Sequence, residues 1–187
     1  MFLIIAIQAS VFLGILYFLQ KQLGFAWLGF GDEISGKEFF LGLAGLIGIN
    51  IVSGLYMKLV GTSPDQFKDF NPEILSKNVY LFMFTVALLG PVYEEIVFRG
   101  YILGMLVGEE TGFKKNLVAV IFTSLLFMLA HLDTLSENYL IGLPLFLLGA
   151  YFSYWAIRKR GVVLTIALHM TQNFLAAFIM LQQIKRV

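Results

Sequence analysis

An all-α, polytopic bundle of about six transmembrane helices is the architecture this sequence predicts, and three observations predict it. The chain is 59% hydrophobic and only 13% charged, with a mean hydropathy of +0.84, where an average soluble domain carries roughly 25% charge. Apolar stretches close to the ~20 residues needed to cross ~30 Å of hydrocarbon recur about six times. The polar connections between them are short, and nothing resembles a soluble domain or a long linker. The expectation is therefore one integral, multi-pass membrane domain over residues 1–187, with two N-terminal spans in 1–60 and a four-span core over 79–184.

The elements follow in order. Residues 1–20 are apolar from the first residue, with no Lys or Arg before Lys21 and no small-residue cleavage site, so they read as a retained span rather than a secretory signal. The second span, 38–60, carries Gly42, Gly45 and Gly48 at helical spacing; a matching row, Gly100, Gly104 and Gly108, lies on the third. Such rows let transmembrane helices approach closely, and packing within one bundle is the simpler use of them. Between these spans, Ser63-Pro64-Asp65 and Asn71-Pro72-Glu73 suit the starts of short surface helices, because proline fits the first helical position. The third stretch, 79–107, would be ~42 Å long as a continuous helix, well beyond the hydrocarbon core, with Pro91 as a candidate kink. Three more spans are expected at 113–132, 139–157 and 162–184.

Charge and composition exclude several classes of function. A net charge of +1 leaves no basic surface for nucleic acid and no acidic tail, so partners belong to the lipid bilayer. The chain has no Cys, which removes disulfides, thiolate metal sites and a cysteine nucleophile. Ser124, Ser153 and Thr165 lie in no nucleophile-elbow sequence, and hydroxyls on helices usually bond back to the backbone.

The informative residues are the polar ones inside the spans: Glu94, Glu95, Arg99, His131, His169 and Asn173. Three unpaired charges at helix centres would cost ~8–10 kcal/mol on insertion scales, so they must be paired, hydrated or neutral. Glu95 and Arg99 stand four apart in the favourable acid-first order and can pair along one face. Glu94 is turned ~100° from Glu95 and ~140° from Arg99, which leaves it the freer carboxylate. Desolvated and without an intrahelical cation, such a carboxylate suits general acid–base work near neutrality. Phe127 and His131 share a helix face, as do His169 and Asn173. Glu94 and His131 lie ~21 and ~22 Å from the turn joining their antiparallel helices, hence at one height. His169 sits ~10 Å into its span and reaches that level when the hairpin tip projects ~10 Å beyond the bilayer. The connection 133–138 then lies at membrane depth, where non-helical backbone is tolerated only beside protein or a wet cavity.

In "EEIVFR", "FMLAH" and "HMTQN" the chain resembles the CPBP intramembrane proteases, the family of type II CAAX prenyl endopeptidases and bacterial Abi proteins. These strings fit EExxxR, FxxxH and HxxxN, in the family's order and each on its own apolar span; Pro91 before the first and "FRGYILGML" around its end are similar too. The likeness covers about residues 80–180. It implies an intramembrane endopeptidase, without cofactor, acting on a membrane-associated protein or peptide and sited in a prokaryotic cell membrane. By the same resemblance Glu94, assisted by His131, activates a water, His169 and Asn173 donate to the oxyanion, and Glu95, Arg99 and Phe127 support the site. A zinc variant uses Glu94, His131 and His169 as a His₂Glu ligand set. It leaves Glu95 as the only base, although Glu95 is expected to be engaged by Arg99, and no HExxH pair is present. Two other classes compete: a non-catalytic immunity or peptide-binding protein using the same cavity, and an ion or proton carrier. The carrier needs polar groups right across the bilayer, but those here cluster at one level.

Overall fold

The computed structural model describes residues 28–61, 79–108 and 112–184, with five further residues between 14 and 22. Among these there are helices, turns and no strand. The expected first span lies almost wholly outside the described residues, and the expected helix starts at 63–65 and 71–73 lie wholly outside them. In chain order the helices are α1 (Gly36–Leu59), α2 (Val79–Val107), α3 (Phe113–Leu129), a short α4 (Leu132–Glu137), α5 (Gly142–Lys159) and α6 (Val163–Ile184). One 3₁₀ turn, Tyr139–Ile141, leads into α5. Three of the described elements are long and apolar enough to cross a membrane: Gly36–Leu59, Val79–Val107 and Tyr139–Lys159. A shorter apolar stretch, Val163–Ile179, lies within α6.

The surface of α1 explains why the bundle belongs in lipid. Of its 24 residues only Gly42, Leu46 and Met57 are buried, while Phe40, Ile47, Ile51, Leu55 and Leu59 are all exposed. A soluble protein does not leave so large an apolar face in water, but hydrocarbon accepts it together with a helix whose backbone is internally bonded. The interior is the reverse. Glu95, Arg99, Thr123, Ser124, Ser153 and Thr165 all have no exposed surface. The protein is an integral, multi-pass membrane helical bundle with a polar centre.

Close packing follows the glycines. A Cβ on Gly42 would come within 2.9 Å of Leu168 on α6, and one on Gly45 would run into the Tyr151 hydroxyl of α5, whereas Gly48 faces open space. Two of the three small residues expected to serve helix contact within the bundle thus do so. On α5, a Cβ at Gly149 would stand 3.1 Å from the Ser124 Cα of α3, and these two helices pack along each other more extensively than any other described pair. The backbone before α1 straps the bundle together. Leu28 N–H donates to the Gly100 carbonyl at 3.1 Å, Asp32 N–H to Lys159 O at 2.9 Å, and Val162 N–H to Gly29 O at 3.2 Å. Gly31, at φ 96°, and Gly161 cross backbone to backbone, so that a Cβ on Gly161 would overlap Gly31 and Phe30.

Around Pro91, the candidate kink, α2 departs from regular α-helical winding. Wide π-type turns occupy Phe84–Leu89 and Ile96–Leu103, on either side of an α-helical segment, Gly90–Glu95, with Pro91 in its first turn. Proline has no N–H for the helix ladder and its ring crowds the preceding turn, so a wide turn just before it is the local solution. The segment 133–138 is more regular than expected. Most of it is α4, which closes its own backbone bonds, Leu135 N–H to His131 O and Asn138 N–H to Thr134 O. The Asn138 side chain then caps Leu140 N–H at 3.1 Å.

Candidate active site

The π-flanked centre of α2 supplies the acidic groups. Glu95 Oε1 accepts from Arg99 Nη1 at 3.0 Å, with neither side chain exposed. The same oxygen lies 2.9 Å from His169 Nδ1. A carboxylate so paired can only accept, so Nδ1 carries the proton and a neutral His169 presents its lone pair at Nε2. Arg99 is held further by Nη2 on the Gly149 carbonyl at 3.1 Å. Its guanidinium lies 4.4 Å from the Phe127 ring centre, 5.4 Å from Phe152 and 5.9 Å from Phe98. In a desolvated setting each well-placed cation–π contact of this kind contributes about 1–2 kcal/mol, which offsets part of the cost of burying the charge.

Glu94 is separated from this pair, as its place on the helix requires. Its Oε2 lies 3.8 Å from His169 Nε2, and its side chain keeps 26% of its surface exposed while Glu95 keeps none. That Oε2 is buried and accepts no hydrogen bond from a donor among the described residues. The nearest ring nitrogen to Glu94 is therefore on α6, not on α3. His131 stands at the break between α3 and α4, with Nδ1 2.8 Å from the Phe127 carbonyl. A carbonyl only accepts, so Nδ1 carries the proton here too and Nε2 is the variable position.

Phe127 joins the two imidazoles. It is 2% exposed, its ring centre 4.8 Å from that of His131 and 5.9 Å from that of His169. On the other side of His169, Phe152 stacks at 5.0 Å with an interplanar angle of 26°. Phe152 and Gly149 are site residues that motif reading missed. In "LLGAYFSYW" they are an apolar and a small residue three apart on a span, and only their shared helix face could have hinted at a common target.

Asn173 lies one turn beyond His169 on α6, and its Nδ2 donates to the Val86 carbonyl in the first π turn of α2 at 3.0 Å. Its neighbour Gln172 points elsewhere and exchanges a reciprocal amide pair with Asn50 of α1, at 2.7 and 3.0 Å. Direct contacts thus link Glu94, Glu95, Arg99, Phe127, His131 and His169 from α2, α3 and α6, with Asn173 one turn further along α6. Among the described residues no three His, Asp or Glu side chains are grouped to hold a metal ion, so Glu94, His131 and His169 of the zinc variant do not form such a group.

Residues 76–175 match the sequence profile of a family described as Rce1-like, type II CAAX prenyl endopeptidase, and this interval contains every motif residue above. Two curated relatives are similar over stretches of comparable length. One is the membrane-embedded CAAX protease MroQ of Staphylococcus aureus (strain USA300), 31% identical over 102 residues, which cover 54% of this chain and 39% of the relative. The other is an uncharacterized 24.3 kDa protein of Escherichia coli, 34% identical over 93 residues, covering 50% of this chain and 41% of the relative. The matches thus span about two-fifths of the length of these relatives, and no solved structure matches the chain. With the family's profile covering more than half of its length and every one of its motif residues, the chain belongs to the Rce1-like type II CAAX prenyl endopeptidase family.

Proposed function

We propose that this protein is an intramembrane endopeptidase that hydrolyses peptide bonds of a membrane-associated protein or peptide, with a carboxylate-activated water as nucleophile and no metal. The observation that carries the reading is Glu94 Oε2, buried, without a hydrogen-bond donor among the described residues and 3.8 Å from His169 Nε2. It stands beside a second carboxylate already engaged by Arg99. A buried acceptor without a protein donor is the natural seat for a water. Glu94 takes a proton from that water as the water adds to the scissile carbonyl, and returns it to the leaving amine. His131, with Nδ1 occupied by a backbone carbonyl, assists through Nε2. His169, when its Nε2 carries a proton, and the Asn173 amide donate to the developing oxyanion, where one donor is commonly worth 10²–10³ in rate. Glu95 and Arg99 hold His169 in place from the buried side.

The test is cleavage of a membrane-anchored peptide library, or of the host membrane proteome, by wild-type and Glu94→Gln protein in liposomes. Glu94→Gln should leave folding intact and reduce cleavage by at least 10³-fold, the order expected when a general base is lost together with its charge. Undiminished biological function in that variant would instead indicate a peptide-binding or immunity protein. Chelator-abolished activity that zinc restores would replace the water–carboxylate mechanism by a metal one.

A further inference from the structure

The first π turn of α2 is closed by Gly90 N–H on the Thr85 carbonyl, five residues back. In that pattern the next bond would run from the N–H of residue 91 to the Val86 carbonyl. Residue 91 is a buried proline and has no N–H to give. The donor that Val86 O receives comes instead from α6: Asn173 Nδ2, at 3.0 Å, across 87 positions of sequence. Because a carbonyl only accepts, the nitrogen end of the amide must face it. An amide nitrogen carries two hydrogens, and fixing one fixes the plane and direction of the other.

We propose that Pro91 is a positioning residue for Asn173: by withholding the backbone donor from Val86 it reserves that carbonyl for the Asn173 amide, whose second N–H is thereby aimed at the reaction centre. Pro91 acts through Asn173 and touches no substrate. The proposal deepens the endopeptidase reading and rests on it for its catalytic consequence. It also explains why a proline stands four residues before the paired Glu95, in a span where helix propensity alone would select against it.

Pro91→Ala is the discriminating variant. Alanine supplies the missing N–H. Whether the turn stays wide, with residue 91 bonding Val86 O, or tightens, with Gly90 bonding it, the carbonyl gains a backbone donor and Asn173 loses its exclusive claim. A proline that merely shapes the helix would, when replaced, change stability and activity together. The proposal expects a Pro91→Ala protein at least as heat-resistant as the wild type, with kcat about tenfold lower, KM within twofold, and no further loss when the change is added to Asn173→Ala. Wild-type kcat in Pro91→Ala, or the same fold-loss in the Asn173→Ala background, overturns it.

A second readout needs no catalysis. The chain has six Asn residues, so ¹⁵N-Asn labelling gives six side-chain amide pairs, and Asn173→Ala identifies the relevant one. In the wild type its two protons should be well separated and slow to exchange, and in Pro91→Ala they should converge and exchange faster. A wild-type pair exchanging like a solvated amide, or a pair unmoved by Pro91→Ala, sinks the contact. Absence of any Glu94-dependent cleavage sinks the protease reading alone, while these spectra still decide whether Pro91 governs Asn173.

Discussion

At the scale of single residues, the site depends on two adjacent carboxylates having different neighbours. Glu95 has no exposed surface and shares one oxygen between Arg99 and His169; Glu94 keeps about a quarter of its surface and lies at the Nε2 edge of His169. Removing one member of a buried pair strands the other charge, at about 3–5 kcal/mol. Glu95→Gln or Arg99→Met should therefore lower the thermal midpoint in detergent sharply, while Glu94→Gln should hardly move it. Replacing both partners with apolar side chains removes the stranded charge, so Glu95→Leu/Arg99→Met should recover most of the stability. It should stay inactive, because His169 Nδ1 has then lost its acceptor. Recovery of activity along with stability would show that the pair supports the fold and not the histidine. This division was legible in the sequence, since angular separation on a helix follows from spacing alone. The partner of Glu94 was not: spacing within one span carries no information about which of two other spans turns an imidazole towards it.

At the scale of elements, helix positions were readable from apolar length and the special geometry was not. The π turns of α2 depend on what proline withholds and on what a distant helix returns, neither of which is a local propensity. The glycine row on α1 shows a related limit. Spacing marked Gly42, Gly45 and Gly48 as equals, but the partner surface separates them. Gly45→Ala should destabilise the bundle, since the new methyl must displace the Tyr151 ring, whose hydroxyl is anchored on the Gly42 carbonyl; overpacking of this kind costs about 1–3 kcal/mol. Gly48→Ala meets nothing within 4 Å and should be neutral or slightly stabilising, through the better helix propensity of alanine. Equal effects of the two substitutions in detergent unfolding would mean that α1 packs by a different face.

At the scale of the whole molecule, the family match begins at residue 76 and leaves α1 out, yet α1 is built into the support of the site. Leu46, its deepest side chain, joins Phe152 and Trp155 of α5 and Leu164 and Leu168 of α6 in one cluster. Phe152 in turn stacks on His169 and faces Arg99. Lys159, at the end of α5, reaches back to Glu38 at 3.0 Å and to the Glu33 carbonyl at 2.7 Å, closing the same corner. Leu46→Ala should therefore do two things. It should destabilise the fold by about 2 kcal/mol, the low end for a buried leucine, because lipid and core are equally apolar and only packing is lost. It should also lower cleavage per folded molecule, because the cavity opens beside Phe152 and beside Leu168, the residue preceding His169. Leu55→Ala is the control: on the same helix but 59% exposed, it removes a side chain that faces lipid. It should leave both stability and cleavage unchanged. Comparing the two in liposomes, with folded protein quantified by resistance to proteolysis, separates a supporting α1 from a helix that only anchors the chain. If Leu46→Ala lost stability but kept full cleavage per folded molecule, the route from α1 through Phe152 to the histidine would carry no catalytic consequence.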